Sequence, residues 1–309
     1  MANNKQPYRI KTISEFHHLK KLPTPEHPLI SVINVEDMNN AHENNPGIFV
    51  HDFYLIALKR NCAIKMKYGQ QEYDFDEGTM FFTSPNQVFG VERDNSKTAE
   101  KKSGWMLLIH PDFLWKTSLA KNIKQYEYFD YSVHEALFLS EKEEAVMNNI
   151  IENIQQEYHS NIDKFSQDII IAQLEVLLNY ADRFYHRQFL TRKITNHQIL
   201  DRMEALLTKY FVSDDLIKDG LPSVQHIAES LNVSPNYLSG LLKTLTGQST
   251  QQHIHNKLIE KAKEKLSTTD LSVSEIAYEL GFEYPQSFSK LFKSKTHSSP
   301  LEFRASFNS

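Results

Sequence analysis

The spacing of apolar residues changes along the chain and separates a strand-rich first part from a helical remainder. Between residues 29 and 109, short β-branched and aromatic runs alternate with turn residues. The pattern predicts strands over 48–58, 61–68, 71–75, 79–83 and 104–109. Many short antiparallel strands at this spacing favour a small barrel or sandwich.

Farther along, the apolar period lengthens from about two residues to about 3.6. Ser140 and Glu143 form a capping box, and apolar residues then recur every four positions, which predicts a helix over 140–159. Residues 163–188 have apolar side chains on more than one stripe, so this second helix must be covered on two sides. Either the rest of the same chain or a second subunit covers the second side.

The polar and basic stretch 191–196 predicts a linker between two domains. An amphipathic helix follows it, with apolar residues at Ile199, Met203, Leu206, Leu207 and Tyr210. The resulting fold class is α+β, with a small barrel or sandwich and a helical pair in domain 1–190 and an all-α domain in 191–309.

A short pattern occurs twice in the second domain, as SVQHIAESLNV from Ser223 and SVSEIAYELGF from Ser272. At a shift of 49 residues the buried positions agree: Val224 with Val273, Ile227 with Ile276, Ala228 with Ala277 and Leu231 with Leu280. Each serine stands where a helix N-cap is expected. Asn232 and Gly281 follow the two helices, and both residue types tolerate the left-handed conformation that ends a helix.

Beyond these turns the copies match again at a shift of 50, so the second turn is one residue longer. The matched pairs are Pro235 with Pro285, Leu238 with Phe288, Ser239 with Ser289, Leu241 with Leu291, Leu242 with Phe292, Lys243 with Lys293 and Thr246 with Thr296. Each copy therefore predicts a helix, a tight turn and a second helix, the arrangement that places its second helix in the DNA major groove. A continuous helix over 251–266 joins the copies. We call each helix-turn-helix copy a head. If the two heads lie about 34 Å apart, one chain can read two successive major grooves.

Residues 221–309 resemble the DNA-binding domain of AraC/XylS-type transcription regulators. The resemblance rests on IAESLNVSPNYLSGLLK, IAYELGF and FSKLFKSKTHSSPLEFR. The last of these is similar to the family ending FSRxFKKxxGxSPxxYR. The chain departs from the family at Gly240, where arginine is common, at His297, where glycine is usual, and at Phe303, where tyrosine is usual.

The resemblance implies which side chains face double-stranded DNA. In the first recognition helix they are Asn236, Ser239, Gly240 and Lys243, and in the second Pro285, Gln286, Ser289 and Lys290. Gln286 is the best candidate for base readout, because an amide can pair bidentately with adenine. Lys243, Lys293 and Arg304 are assigned to phosphates or to the support of helix ends. We expect the second head to show the stronger base preference and the first to act more as a phosphate anchor.

The first 190 residues resemble the cupin-like sensor of the same regulators, which carries a helical pair that often dimerises. The resemblance implies a small-molecule effector in the barrel, a homodimer and RNA polymerase as a further partner. His51 and Tyr54 are the candidate effector contacts. In one regular strand they would point to opposite faces, so only one would reach the interior. The alternative is a regulator without an effector, whose barrel binds a protein partner or only dimerises the chain.

Composition agrees with a two-domain protein of the cytosol. The 309 residues carry a net charge of −5, yet from residue 221 onward nine basic residues exceed eight acidic ones. No apolar stretch is long enough to predict a membrane span. Cys62 is the single cysteine, so a disulfide within the chain or a cysteine-based zinc cluster is excluded and a reducing compartment fits.

A cupin-type metalloenzyme is the third hypothesis. Such a site needs clustered imidazoles and a carboxylate on neighbouring strands. His42, His51 and His110 are far apart in sequence, whereas His253 and His255 lie two positions apart on a helix and point in different directions. The sequence therefore predicts a protein without catalytic residues, metal or cofactor.

Overall fold

The computed structural model describes residues 8–38, 48–60, 67–68, 71–72, 78–90, 103–132, 135–159, 165–191, 193–212, 216 and 220–306. Its contacts divide into two compact units, Met1–Gln188 and Phe189–Ser309. Cys62, His42 and most of the predicted strands 61–68 and 71–75 lie outside the described residues.

The first unit contains ten strands in its described part. They are β1 Tyr8–Ile10, β2 Ile30–Asn34, β3 Ile48–His51, β4 Tyr54–Arg60, β5 Lys67–Tyr68, β6 Gln71–Glu72, β7 Thr79–Thr83, β8 Val88–Gly90, β9 Ser103–Ile109 and β10 Leu137–Phe138. A three-stranded sheet has the order β1-β3-β8, and its β1–β3 pair is parallel. A five-stranded sheet has the order β10-β7-β4-β9-β2 and is antiparallel throughout. Strands β5 and β6 form a third sheet of two antiparallel strands. Because the described strands of different sheets do not pair, closure of the barrel stays a prediction.

The predicted strand 48–58 is wrong, because the chain breaks it at Asp52 and Phe53 into β3 and β4. The N–H of Asp52 donates to the carbonyl of Ile10 at 3.0 Å, which completes the pairing of β3 with β1, whereas β4 pairs with β7 and β9 in the other sheet. The rule that successive side chains alternate therefore does not carry across from His51 to Tyr54. Both side chains are buried.

One hydrophobic core of the first unit lies on one face of the five-stranded sheet. Leu55 and Ala57 of β4 and Met106 and Leu108 of β9 supply that face. The three-stranded sheet and α1 (Ile13–Leu19) cover it with Ile10, Ile13, Phe16 and Phe49, and Phe53 joins them from the break between β3 and β4. Alternation along the strands places Trp105 and Leu107 on the opposite face.

The opposite face carries the longer helices of the first unit. Besides α1, the described helical segments are the 3₁₀ turns Val35–Asp37, Pro111–Leu114, Ile123–Gln125 and Glu127–Asp130, then α2 Leu119–Asn122, α3 Glu141–His159 and α4 Ser166–Thr191. The indole N–H of Trp105 donates to Asn148 Oδ1 of α3 at 2.8 Å. The predicted helix 140–159 and most of 163–188 are confirmed. None of the described helices is both long and apolar enough to cross a membrane.

The second unit is helical throughout its described part. Its helices are α5 Lys193–Val212, α6 Val224–Leu231, α7 Pro235–Thr246, α8 Thr250–Thr268, α9 Val273–Glu279, α10 Pro285–Thr296 and α11 Pro300–Ala305. The predicted linker 191–196 is wrong, because α4 runs to Thr191 and α5 starts at Lys193. The buried Asn196 amide donates to the carbonyl of Phe189 at 2.6 Å, so this polar residue satisfies a backbone group at the end of α4.

Candidate nucleic-acid interface

The two copies of the repeated pattern fold alike at their first helix. The Ser223 hydroxyl accepts from the N–H of His226 at 3.1 Å, and the Ser272 hydroxyl accepts from the N–H of Glu275 at 3.2 Å. Asn232 and Gly281 then adopt left-handed φ values of 57° and 79°. Both serine caps and both left-handed turn residues are as the sequence predicts.

The duplication continues beyond the last residue matched in sequence. Gly247 and His297 both end their recognition helices in the left-handed conformation, with φ values of 73° and 62°. Ser249 and Ser299 then begin the next helix, α8 or α11, each with a complete capping box. The sequence already contains this capping-box pattern, because the two serines lie 50 residues apart and a Gln or Glu stands three residues after each.

The recognition helices α7 and α10 each present a stripe spaced i, i+4 and i+7. In α10 the stripe is Gln286, Lys290 and Lys293, and all three are exposed. Phe288 and Phe292 on the other side of α10 are fully buried. An amide followed by two ammonium groups on one face can combine base readout with phosphate binding.

The matching stripe of α7 presents fewer polar and charged side chains. It consists of Asn236, Gly240 and Lys243, so its central position has no side chain, and only Lys243 is exposed. Ser239 is half-buried, and its hydroxyl lies 3.1 Å from Thr250 Oγ1 of α8, a hydrogen bond that fastens the head to that helix. Pro285 and Ser289 of α10 are also half-buried.

Arg304 of α11 lies at the carboxyl end of α8. Its Nε donates to the carbonyl of Leu266 at 3.2 Å, and its buried Nη2 has no hydrogen-bond partner in the described part of the chain. Of the two roles predicted for Arg304, this geometry matches support of a helix end. Lys265 of α8 also pairs with Glu279 of α9 at 2.6 Å, so the second head is held to α8 by two cations.

The first head is held to α8 by neutral hydrogen bonds. Thr246 Oγ1 lies 2.9 Å from His253 Nε2, and the Asn256 amide donates to Gln248 Oε1 at 2.8 Å. Burial lowers the pKa of His253, which keeps the imidazole neutral in this contact at physiological pH. Thus α8 is attached to both recognition units through side chains.

The two candidate effector contacts of the first unit are packed in its interior. His51 stacks on Phe53 with ring centroids 4.8 Å apart, and its Nε2 lies 3.2 Å from Thr83 Oγ1. Burial lowers the pKa of His51 to about 4, so the ring is neutral at pH 7. Tyr54 meets Phe129 edge to face at 5.2 Å, and burial raises its pKa.

A cavity of about 240 Å³ lies elsewhere in the first unit, between α3 and the sheet face that carries Trp105. Neither His51 nor Tyr54 lines it. Glu144 of α3, which is almost fully buried, pairs there with Arg60 of β4. Among the residues that the structure describes, no three His, Cys, Asp or Glu side chains gather as a metal ion requires.

Comparison with known proteins gives matches along both units. Residues 227–306 match a family model described as a helix-turn-helix domain. The uncharacterized HTH-type transcriptional regulator YfiF of Bacillus subtilis (strain 168) is 24% identical in an alignment 291 positions long, which covers 84% of this chain and 79% of that protein. The uncharacterized HTH-type transcriptional regulator SAS0078 of Staphylococcus aureus (strain MSSA476) is 26% identical over 147 residues.

That second alignment covers 47% of this chain but only 18% of the Staphylococcus protein, so the chain spans a small part of that relative. Among solved structures, a Chromobacterium violaceum transcriptional regulator described by its AraC-type DNA-binding domain is 22% identical. The match covers 36% of this chain and 93% of that one, with a TM-score of 0.32.

Proposed function

We propose that the protein is a sequence-specific DNA-binding regulator of transcription of the AraC type, because residues 227–306 match a helix-turn-helix domain. One observation carries the proposal: Gln286, Lys290 and Lys293 form a single exposed stripe on α10, and α10 is the second helix of its helix-turn-helix unit. The matched stripe on α7 has one exposed ammonium group and a gap at Gly240. The relatives named above are likewise named transcriptional regulators.

In this proposal the second head reads bases of double-stranded DNA and the first head anchors the protein to phosphates. A recognition helix contacts base edges mainly with its amino-terminal residues, where Gln286 lies. Its amide pairs with the N6 and N7 groups of an adenine, whereas Lys290 and Lys293 neutralise phosphates. The first head contributes Lys243 and the backbone close to Gly240, which fits a phosphate anchor better than a base reader.

We expect Gln286→Ala and Lys293→Ala to weaken DNA binding in different ways. Loss of a bidentate amide should cost about 1–3 kcal/mol at one base position and leave the salt dependence unchanged. Loss of a phosphate contact should weaken binding to all sequences and lower the slope of log K against log salt by about 0.9. Salt titrations with the preferred duplex and its single-base variants measure both effects. Identical behaviour of the two variants would contradict these roles.

The first unit also has a feature that suits dimerisation. Phe165, Ile169, Ala172 and Val176 are exposed along one stripe of α4 and the residue before it. An exposed apolar stripe of this kind marks an interaction surface. We therefore propose a homodimer in which this stripe of α4 meets the same stripe of a second copy.

Ile169→Glu is expected to convert such a dimer into monomers, because it places two carboxylates in the apolar contact. Sedimentation of the full chain at several concentrations measures the change. Asn153→Glu adds the same charge at an exposed position of α3 and should leave the mass unchanged. Equal masses for Ile169→Glu and the unmodified chain would rule out this interface.

Control by a small-molecule effector is the second candidate function of the first unit, and the cavity beside α3 favours it. Arg60, Glu144 and Asn148 bring charge and hydrogen-bonding groups to one wall of that cavity. An effector acts only if it binds one state of the protein more tightly than the other. Trp105 also lines the cavity, so an effector there should shift its fluorescence. The packed positions of His51 and Tyr54 instead favour a regulator whose first unit only dimerises the chain.

A further inference from the structure

Tyr284 interrupts the agreement between the two heads. It occupies the N-cap position of α10, and its side chain makes no capping hydrogen bond. The residue at the matched position of the first head is Ser234, whose hydroxyl accepts from the N–H of Tyr237 at 3.2 Å. The second head therefore lacks a stabilising cap that its own duplicate retains.

No contact of Tyr284 within the described residues compensates for the missing cap hydrogen bond. The Tyr284 side chain is 58% exposed. Its ring and hydroxyl have no partner within the described residues. A local rule that is broken without a compensating contact is typical of a functional position. Because the first head shows what the same template does with serine, the difference points to a partner outside the chain.

The position of Tyr284 indicates what that partner is. It directly precedes Pro285 and Gln286, at the end of the recognition helix that lies closest to base edges in the major groove. The neighbouring Glu283 is exposed and acidic, which disfavours a phosphate beside this turn. An aromatic ring at a base edge finds its apolar contact in the C5 methyl group of thymine.

We propose that the ring of Tyr284 packs against a thymine methyl group at the base step beside the one that Gln286 reads. The inference rests on the proposed DNA-binding function and makes Tyr284 a specificity-determining residue. Ser234, at the matched position of the first head, has no aromatic ring, so the first head lacks this contact. The thymine preference should therefore occur at one position of the binding site.

The first test compares the unmodified full chain with Tyr284→Ser, which copies the first head. Both are used to select sequences from a random library of DNA duplexes. The variant should lose the thymine preference at one position, and its affinity for the selected duplex should fall about five- to tenfold. Its folding equilibrium constant should rise about fivefold, because serine restores the cap. Opposite signs for binding and stability separate this role from simple unfolding.

The second test removes the methyl group from the DNA instead. Deoxyuridine in place of the selected thymine should weaken binding of the unmodified chain about fourfold, and binding of Tyr284→Ser should not change. Tyr284→Phe keeps the ring and should behave like the unmodified chain. Tyr278→Ser, which removes a similarly exposed tyrosine from α9, should keep the thymine preference and serves as the matched control.

Three results would overturn the inference. The first is a retained thymine preference in Tyr284→Ser, and the second is equal binding of the unmodified chain to thymine and deoxyuridine duplexes. The third is a uniform loss of affinity in Tyr284→Phe, which would assign the contact to the hydroxyl group and a phosphate. If the unmodified chain selects no sequence at all, the proposed DNA-binding function itself fails, and this outcome is distinct from the other three.

Discussion

Gly281→Ala is expected to lower the free energy of unfolding of the second unit by about 3 kcal/mol. Gly281 has a φ of 79°, a conformation that costs other residues about 1–2 kcal/mol. A Cβ atom there would also lie 2.7 Å from the carbonyl oxygen of Leu216 and 3.0 Å from the Cα of Gly220. Both neighbours are backbone atoms, so a rotamer change cannot relieve the collision.

The first copy of the template supplies a matched control for this variant. Gly247 has nearly the same φ of 73°, but a Cβ atom there meets no atom within 4 Å. Gly247→Ala should therefore cost only about 1 kcal/mol, the strain of the left-handed conformation alone. His297 occupies the corresponding position of the second copy with a φ of 62°, which supports this small cost. The difference between the two glycine variants isolates the collision with Leu216.

The distribution of tryptophan makes the effect measurable in the full chain. Trp105 and Trp115 are the two tryptophans of the sequence, and both lie in Met1–Gln188. Tryptophan fluorescence therefore reports the first unit, whereas circular dichroism at 222 nm also includes the helices of the second. In urea, Gly281→Ala should shift only the dichroism transition and should reduce DNA binding. Equal unfolding midpoints for Gly281→Ala and Gly247→Ala would contradict the collision.

The helical domain was the more predictable part of the fold, because its two helix-turn-helix copies can be aligned with each other. Caps at Ser223 and Ser272 and left-handed turns at Asn232 and Gly281 could be inferred from short-range rules applied twice. The family resemblance is likewise carried by contiguous residues. The resemblance implies Gln286 and Lys290 as outward residues and Lys293 as a phosphate or helix-end contact, and helical periodicity places the three on one stripe.

Long-range contacts were not accessible in the same way. Ser239 was assigned to DNA from the family resemblance, but its hydrogen bond to Thr250 depends on how α7 crosses α8. Arg304 could equally face a phosphate or a helix end until its Nε was placed 3.2 Å from the carbonyl of Leu266. The strand break after His51 accompanies a change of partner strands, because β3 pairs with β1 and β8 whereas β4 pairs with β7 and β9, and no local pattern contains these partners.

Acid is expected to destabilise the first unit through His51. The unfolded imidazole has a pKa near 6.5, and burial lowers the pKa in the folded unit to about 4. Between these values the unfolded chain binds the proton more readily, so stability is complete above about pH 7 and falls as the pH decreases. The loss should reach about 2 kcal/mol at pH 5 and about 3 kcal/mol at pH 4.

Urea unfolding followed by tryptophan fluorescence at pH values from 8 to 4 measures this loss in the unit that contains His51. His51→Gln removes the titrating group but keeps an amide able to bond with Thr83. It should lower stability at pH 8 and flatten the pH dependence between pH 7 and 5, where few carboxylates titrate. A slope as steep as that of the unmodified chain would assign the acid sensitivity to other groups. A flattened slope would establish His51 as a neutral packing residue, and the search for an effector site would then move to the cavity beside α3.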